Sequence, residues 1–126
     1  MKPSTLLLLN AILSIAFGLA FVLAPAAVGM MYELPSTPGG DLASRLLGAE
    51  LLGAGLLSWL ARNMSLADLR KAVLPALLLP TVVELIVSIM AMLSGVLGSS
   101  GWSSVVIYLL FALGFGYYQF VAPSKS

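Results

Sequence analysis

The length of its apolar runs constrains this chain more than any other feature. Residues 4–24, STLLLLNAILSIAFGLAFVLA, form the first, and residues 41–61, 72–97 and 102–122 form three more. A helix rises about 1.5 Å per residue, so about 20 apolar residues cross the hydrocarbon core of a bilayer. In hydrocarbon a single run can satisfy its backbone polar groups only as a helix. Of the 126 residues, 60% are hydrophobic and 9% charged, which leaves little chain outside the four runs. The sequence therefore predicts an all-α fold in one membrane domain: a four-transmembrane-helix bundle, antiparallel up-down, with a short interfacial segment between helices 1 and 2.

The first run follows Lys2 and stops at Pro25. A basic start, an apolar stretch and Ala24-Pro25-Ala26 also fit a cleavable signal, but the run is longer than a usual signal core and carries Asn10, so it is read as a retained helix. Asn10, Ser14 and Gly18 recur every fourth residue and put a small, polar stripe on one face, where another helix can approach and form hydrogen bonds. Residues 25–40, PAAVGMMYELPSTPGG, contain too many prolines and glycines for a long helix; AAVGMMYEL is read as a short interfacial helix and Asp41 as the N-cap of the next span.

The run at 41–61, DLASRLLGAELLGAGLLSWLA, is rich in small residues and is expected at the centre of the bundle. Its face Ala43, Leu46, Leu47, Glu50, Ala54, Leu57 and Ala61 carries one carboxylate, while Arg45 lies roughly 140° away around the helix. Arg45 thus either snorkels to the interface or meets a carboxylate from another helix. In the third run Pro80 predicts a kink one turn before Glu84. The GSSG loop at 98–101 makes the last two helices antiparallel neighbours, and Tyr117, Tyr118 and Gln119 form an interfacial belt near the end of the chain.

Lys2, Arg62, Arg70, Lys71 and Lys125 fall on one side of such a bundle and only Arg45 near the other, so the positive-inside rule places both termini in the cytoplasm, with a bacterial inner membrane as the expected location. Glu50 and Glu84 then lie near the midplane. A charged side chain there costs about 2.5–3.5 kcal/mol on insertion scales, so each should face the bundle or a cavity. The expected polar core is Glu50, Glu84, Arg45, Asn10 and Ser14, either as structural hydrogen bonding or as the lining of a pocket for the head of a lipid-like ligand.

Without cysteine or histidine, thiolate chemistry, haem ligation by His and the usual zinc sites are excluded, and no cofactor is expected. A net charge of +1 offers no nucleic-acid surface. No hydroxyl nucleophile has an evident base, so the chain is read as non-enzymatic.

The Pro-terminated first helix, the Pro/Gly loop and the residues Arg45, Gly48, Leu52, Gly53 and Gly55 resemble small bacterial four-helix membrane proteins related to DoxX. That resemblance implies a compact left-handed bundle with no established catalytic set. More distantly, Arg45 with Gly48 and the glutamate of the third run look like the eukaryotic four-helix scaffold proteins of ergosterol synthesis, which implies binding of partner enzymes or sterol-like lipids. Small multidrug transporters share the span count but carry their essential glutamate in helix one, where this chain has Asn10. The expected function is therefore binding of an apolar or lipid-like ligand, or service as an accessory subunit to a partner membrane protein or a homo-oligomer. The alternative is proton-coupled transport through the midplane glutamates.

Overall fold

The computed structural model describes residues 2–123, which form five helices with no strand among them. The first two are α1, Pro3–Leu23, and the short α2, Pro25–Met31; the long helices α3, Pro38–Ala61, α4, Leu66–Leu93, and α5, Gly101–Val121, follow. Lys125, one of the cations behind the expected orientation, lies outside the described residues.

Local chemistry sets the helix ends. Pro3, Pro25 and Pro38 each sit in a first turn, where the missing N–H has no intrahelical partner to lose. Thr37, not Asp41, caps α3: its Oγ1 accepts the Gly40 N–H at 3.0 Å, and Asp41 lies in the first turn, where it accepts from Ser36 Oγ at 3.0 Å. Ser65 caps α4 by accepting the Asp68 N–H at 3.2 Å, so the helix starts at Leu66, six residues before the third apolar run, and takes in Arg70 and Lys71. Leu69–Val73 is a π turn in which the Leu74 N–H bonds to the Leu69 carbonyl. The wider turn immediately precedes Pro75, where the α-helical bond cannot form. Pro80 lies within the continuous helix.

Two Schellman motifs close the opposite ends. Gly95, at φ 76°, terminates α4, with the Val96 N–H reaching the Ala91 carbonyl at 3.0 Å. After α2 the same geometry falls on Glu33, at φ 59°, with the Leu34 N–H on the Gly29 carbonyl at 2.9 Å. The left-handed conformation costs a residue with a Cβ about 1 kcal/mol.

The long helices pair as two antiparallel hairpins, α1 with α3 and α4 with α5. In the first, Leu7, Ala11, Ser14 and Gly18 are buried along α1 and Gly48, Gly55, Ser58 and Ala61 along α3. A Cβ on Gly48 would sit 2.7 Å from the Gly18 carbonyl oxygen, and one on Gly18 would sit 2.9 Å from that of Gly48, so the two backbones are in direct contact. Gly55 meets Ile15 and the Ala11 carbonyl in the same way, two turns along.

The hairpins join at one end through an apolar cluster containing Leu7, Leu69, Leu74 and Phe115. Arg70 reinforces it: Nε donates to the Tyr118 carbonyl at 2.8 Å and Nη2 to that of Ala122, beside the second π turn, Tyr117–Val121. At the other end α2 bridges them. The Gly98 N–H donates to the Tyr32 carbonyl at 2.9 Å, Ser100 Oγ donates to the Met31 carbonyl, and the Tyr32 and Ser104 hydroxyls bond at 2.9 Å.

Three helices, α1, α4 and α5, are long and apolar enough to cross a membrane. The sequence reading expected four. α3 has the length, 24 residues, but Asp41, Arg45, Glu50 and its glycines lower its hydropathy below that of the other three. Large apolar side chains cover much of the outer surface, with Leu23, Leu93 and Phe120 at least three-quarters exposed, as suits contact with lipid rather than water.

The Gly18–Gly48 contact makes a specific prediction. Gly48→Ala should lower stability by about 1–3 kcal/mol through overpacking. Gly53→Ala, at a position where a Cβ meets nothing within 4 Å, should leave it unchanged or raise it by up to about 1 kcal/mol. Thermal unfolding of the two variants side by side in detergent measures the difference.

Candidate functional site: a cavity between the hairpins

The hairpins touch at their ends and stand apart between them, leaving a cavity of about 690 Å³. The apolar lining comes chiefly from Phe17 and Phe21 of α1, Leu47 and Leu57 of α3, and Ile107 and Phe111 of α5. Pro80 and Thr81 of α4 complete the wall, and Tyr32 and Leu34 cover the end beneath α2.

Four of the five residues expected in a polar core, Asn10, Ser14, Glu50 and Glu84, line this one cavity. Each arrives by helical periodicity. Leu47, Glu50, Ala54 and Leu57 share the face of α3 turned to the cavity, beside the glycine seam that meets α1. Glu84 lies one turn beyond Pro80 on α4 and four residues before Ser88, another lining residue. Glu84 is half-buried and Glu50 exposed.

Arg45 is placed elsewhere. It is exposed, does not line the cavity and forms no ion pair among the described residues. Its position around α3 accounts for this, since a residue roughly 140° from Glu50 cannot share the face that Glu50 presents.

Exposure along the lining locates the opening. Ala49, Glu50, Gly53 and Leu57 of α3 and Ala76 and Pro80 of α4 all line the cavity and are all exposed, whereas the lining residues of α1 and α5 are buried or half-buried. α3 approaches α4 mainly at the Leu69–Val73 turn. The cavity therefore opens sideways between α3 and α4.

Several hydroxyl and amide donors near the cavity are already engaged. Asn10 Nδ2 donates to Ser58 Oγ at 2.8 Å, and Ser58 Oγ donates to the Ala54 carbonyl at 2.9 Å. Thr81 Oγ1 donates to the Leu77 carbonyl at 2.7 Å, and Tyr32 pairs with Ser104. Ser58, fully buried, was not singled out from sequence; its signal was its place three residues after Gly55 on the small-residue seam. Tyr32, Ser104 and Tyr108 also reach the cavity, and only the docking of α2 on α5 brings the first of them there.

Comparison with protein-family models, with curated proteins and with solved structures finds no match to this chain. The likeness to DoxX-related proteins rests on the sequence features alone.

The Asn10–Ser58 bond links α1 to α3 beside the cavity. Ser58→Ala removes the acceptor and should cost about 0.5–2 kcal/mol, and a double-mutant cycle with Asn10→Ala should give a coupling near 0.6 kcal/mol, the average for such bonds between membrane helices. Reversible unfolding in mixed micelles provides the measurement.

Proposed function

We propose that this chain is a small integral membrane protein, a bundle of four transmembrane helices, that binds a lipid-like amphiphile and catalyses no reaction on it. The observation that carries this reading is the sideways-opening cavity: about 690 Å³, mainly apolar in its lining, with two carboxylates on its wall. Ligand sites of this kind are commonly apolar clefts of roughly 300–1,000 Å³ with a few placed polar groups.

α3 serves as the fourth span. Its backbone contacts that of α1 at Gly18 and Gly48 and again at Gly55, and two antiparallel helices in contact over that length share the same depth. The cation distribution then orients the bundle with the joined end of the hairpins in the cytoplasm and α2 as an interfacial cover at the far surface. In that frame the gap between α3 and α4 faces acyl chains, and a ligand reaches the cavity from within the bilayer. The DoxX-like resemblance agrees with such a four-helix form. A helix of a partner membrane protein seated in the same gap would be the accessory-subunit form of the reading.

Purification in mild detergent followed by organic extraction and mass spectrometry tests it. The parent chain should retain an amphiphile in roughly equimolar amount, and Gly53→Leu, which projects a side chain into open space on the cavity wall, should lose it. Equal retention by both overturns the cavity as the site, and a stoichiometric protein in place of lipid selects the accessory form. Solute-dependent proton flux into liposomes, lost in Glu50→Gln or Glu84→Gln, overturns binding in favour of transport.

A further inference from the structure

We infer that the cavity selects an amphiphile whose polar end is a cationic amine, taken up through the gap between α3 and α4 with its tail among the apolar side chains and its head against Glu50 and Glu84. This inference rests on the ligand-binding reading and specifies the chemistry of its ligand.

The charge of the lining carries the argument. Among the described residues Glu50 and Glu84 are the only carboxylates on the wall, and no lysine or arginine lines it. Arg45, the one basic residue on α3 before its C-terminal end, faces elsewhere and is exposed. Arg70 is committed to the carbonyls of Tyr118 and Ala122, and Lys71 to Asp68 at 3.3 Å on the surface. A phosphate or carboxylate head placed in the cavity would therefore face two acids with no cation to balance it, in surroundings where charge is poorly screened.

The hydrogen-bonding groups point the same way. Thr81 donates to the Leu77 carbonyl, Tyr32 and Ser104 bond to each other and Asn10 donates to Ser58, so these four are engaged within the protein, while Ser14, Ser44, Ser88 and Tyr108 are the wall's other hydroxyls. The carboxylates have acceptor sites to fill and form no hydrogen bond or ion pair among the described residues. An ammonium group is all donor and no acceptor, which meets this deficit, and its bonds to carboxylate are charge-assisted. A neutral alcohol supplies one donor and no charge, so it ranks between the amine and the acid.

Geometry separates the parts of the ligand. Glu50 lies in the exposed rim with Ala49 and Gly53, whereas Glu84 is half-buried on the opposite helix. The tail has the aromatic wall of Phe17, Phe21 and Phe111 to lie against.

The test compares dodecylamine, dodecanol and dodecanoate, three probes alike in tail and different in head, by native mass spectrometry of the detergent-solubilised full chain. The expected order is amine, then alcohol, then acid, with the amine bound at least about tenfold more tightly than the acid. Glu84→Gln and Glu50→Gln, which keep side-chain size, should each reduce the amine preference, and the double variant should abolish it while still binding dodecanol. Gly53→Leu should exclude all three. Equal binding of the three probes, all blocked by Gly53→Leu, overturns the head-group inference and leaves the ligand cavity standing. An amine preference that survives the double variant overturns the assignment to these carboxylates. Binding of none of the three overturns the ligand-binding reading itself.

Discussion

The contact between the backbones of Gly18 and Gly48 sets the geometry on which the rest of this protein depends. In lipid, helices gain nothing from hiding apolar surface, because the surroundings are as apolar as the side chains. They gain from close van der Waals approach, and a residue without a Cβ permits the closest. Gly55 against Ile15 and the Ala11 carbonyl extends the approach, and the Asn10–Ser58 hydrogen bond adds a directional link at the far end of the seam. α1 and α3 thus behave as one unit, which orients the rest of α3.

That orientation creates the cavity. With the glycine seam turned to α1, the adjacent face of α3, carrying Leu47, Glu50, Ala54 and Leu57, turns towards the space between the hairpins. The second hairpin is held against the first at both ends: by the apolar cluster around Leu69, Leu74 and Phe115, and by α2 lying on the start of α5. Between these attachments few close contacts draw α3 and α4 together among the described residues. Both π turns lie at the joined end, where widened turns adjust to Pro75 and present carbonyls to Arg70. The hairpins are attached at their ends and open in their middle, where the cavity lies.

Helix existence was legible in the residues because long apolar runs have few alternatives, and the small-residue stripe through Ser14 and Gly18 was legible from its spacing. Boundaries were less so. Asp41 looked like a cap, but Thr37 followed by Pro38 starts α3 a turn earlier; Arg70 and Lys71 looked like loop residues, but Ser65 starts α4 ahead of them. At α3 two good capping residues competed and the flanking proline chose between them; at α4 the polar stretch before residue 72 masked a helix start whose Leu66 and Leu69 are buried. Glu33 carries the left-handed turn after α2, a role usually given to glycine, so no residue signal marked it. α3 shows a different limit: its charges and glycines reduce its apolarity for the same reason that they equip it to pack and to line a cavity.

By itself the sequence determined that the chain is helical and apolar, that Glu50 and Arg45 occupy different faces of one helix, and that thiol and imidazole chemistry are absent. These follow from composition and from the fixed angle between successive helical residues. Whether Glu50, Glu84, Asn10 and Ser14 share a space is a relation between helices, and no periodicity within one helix encodes it. Only the tertiary structure decided that all four line one cavity, that Arg45 does not, and that Asn10 spends a donor on Ser58. The physical reason is that the glycine contacts of α1 and α3 and the attachments at the two ends set the rotation of each helix, and that rotation determines what its polar residues face.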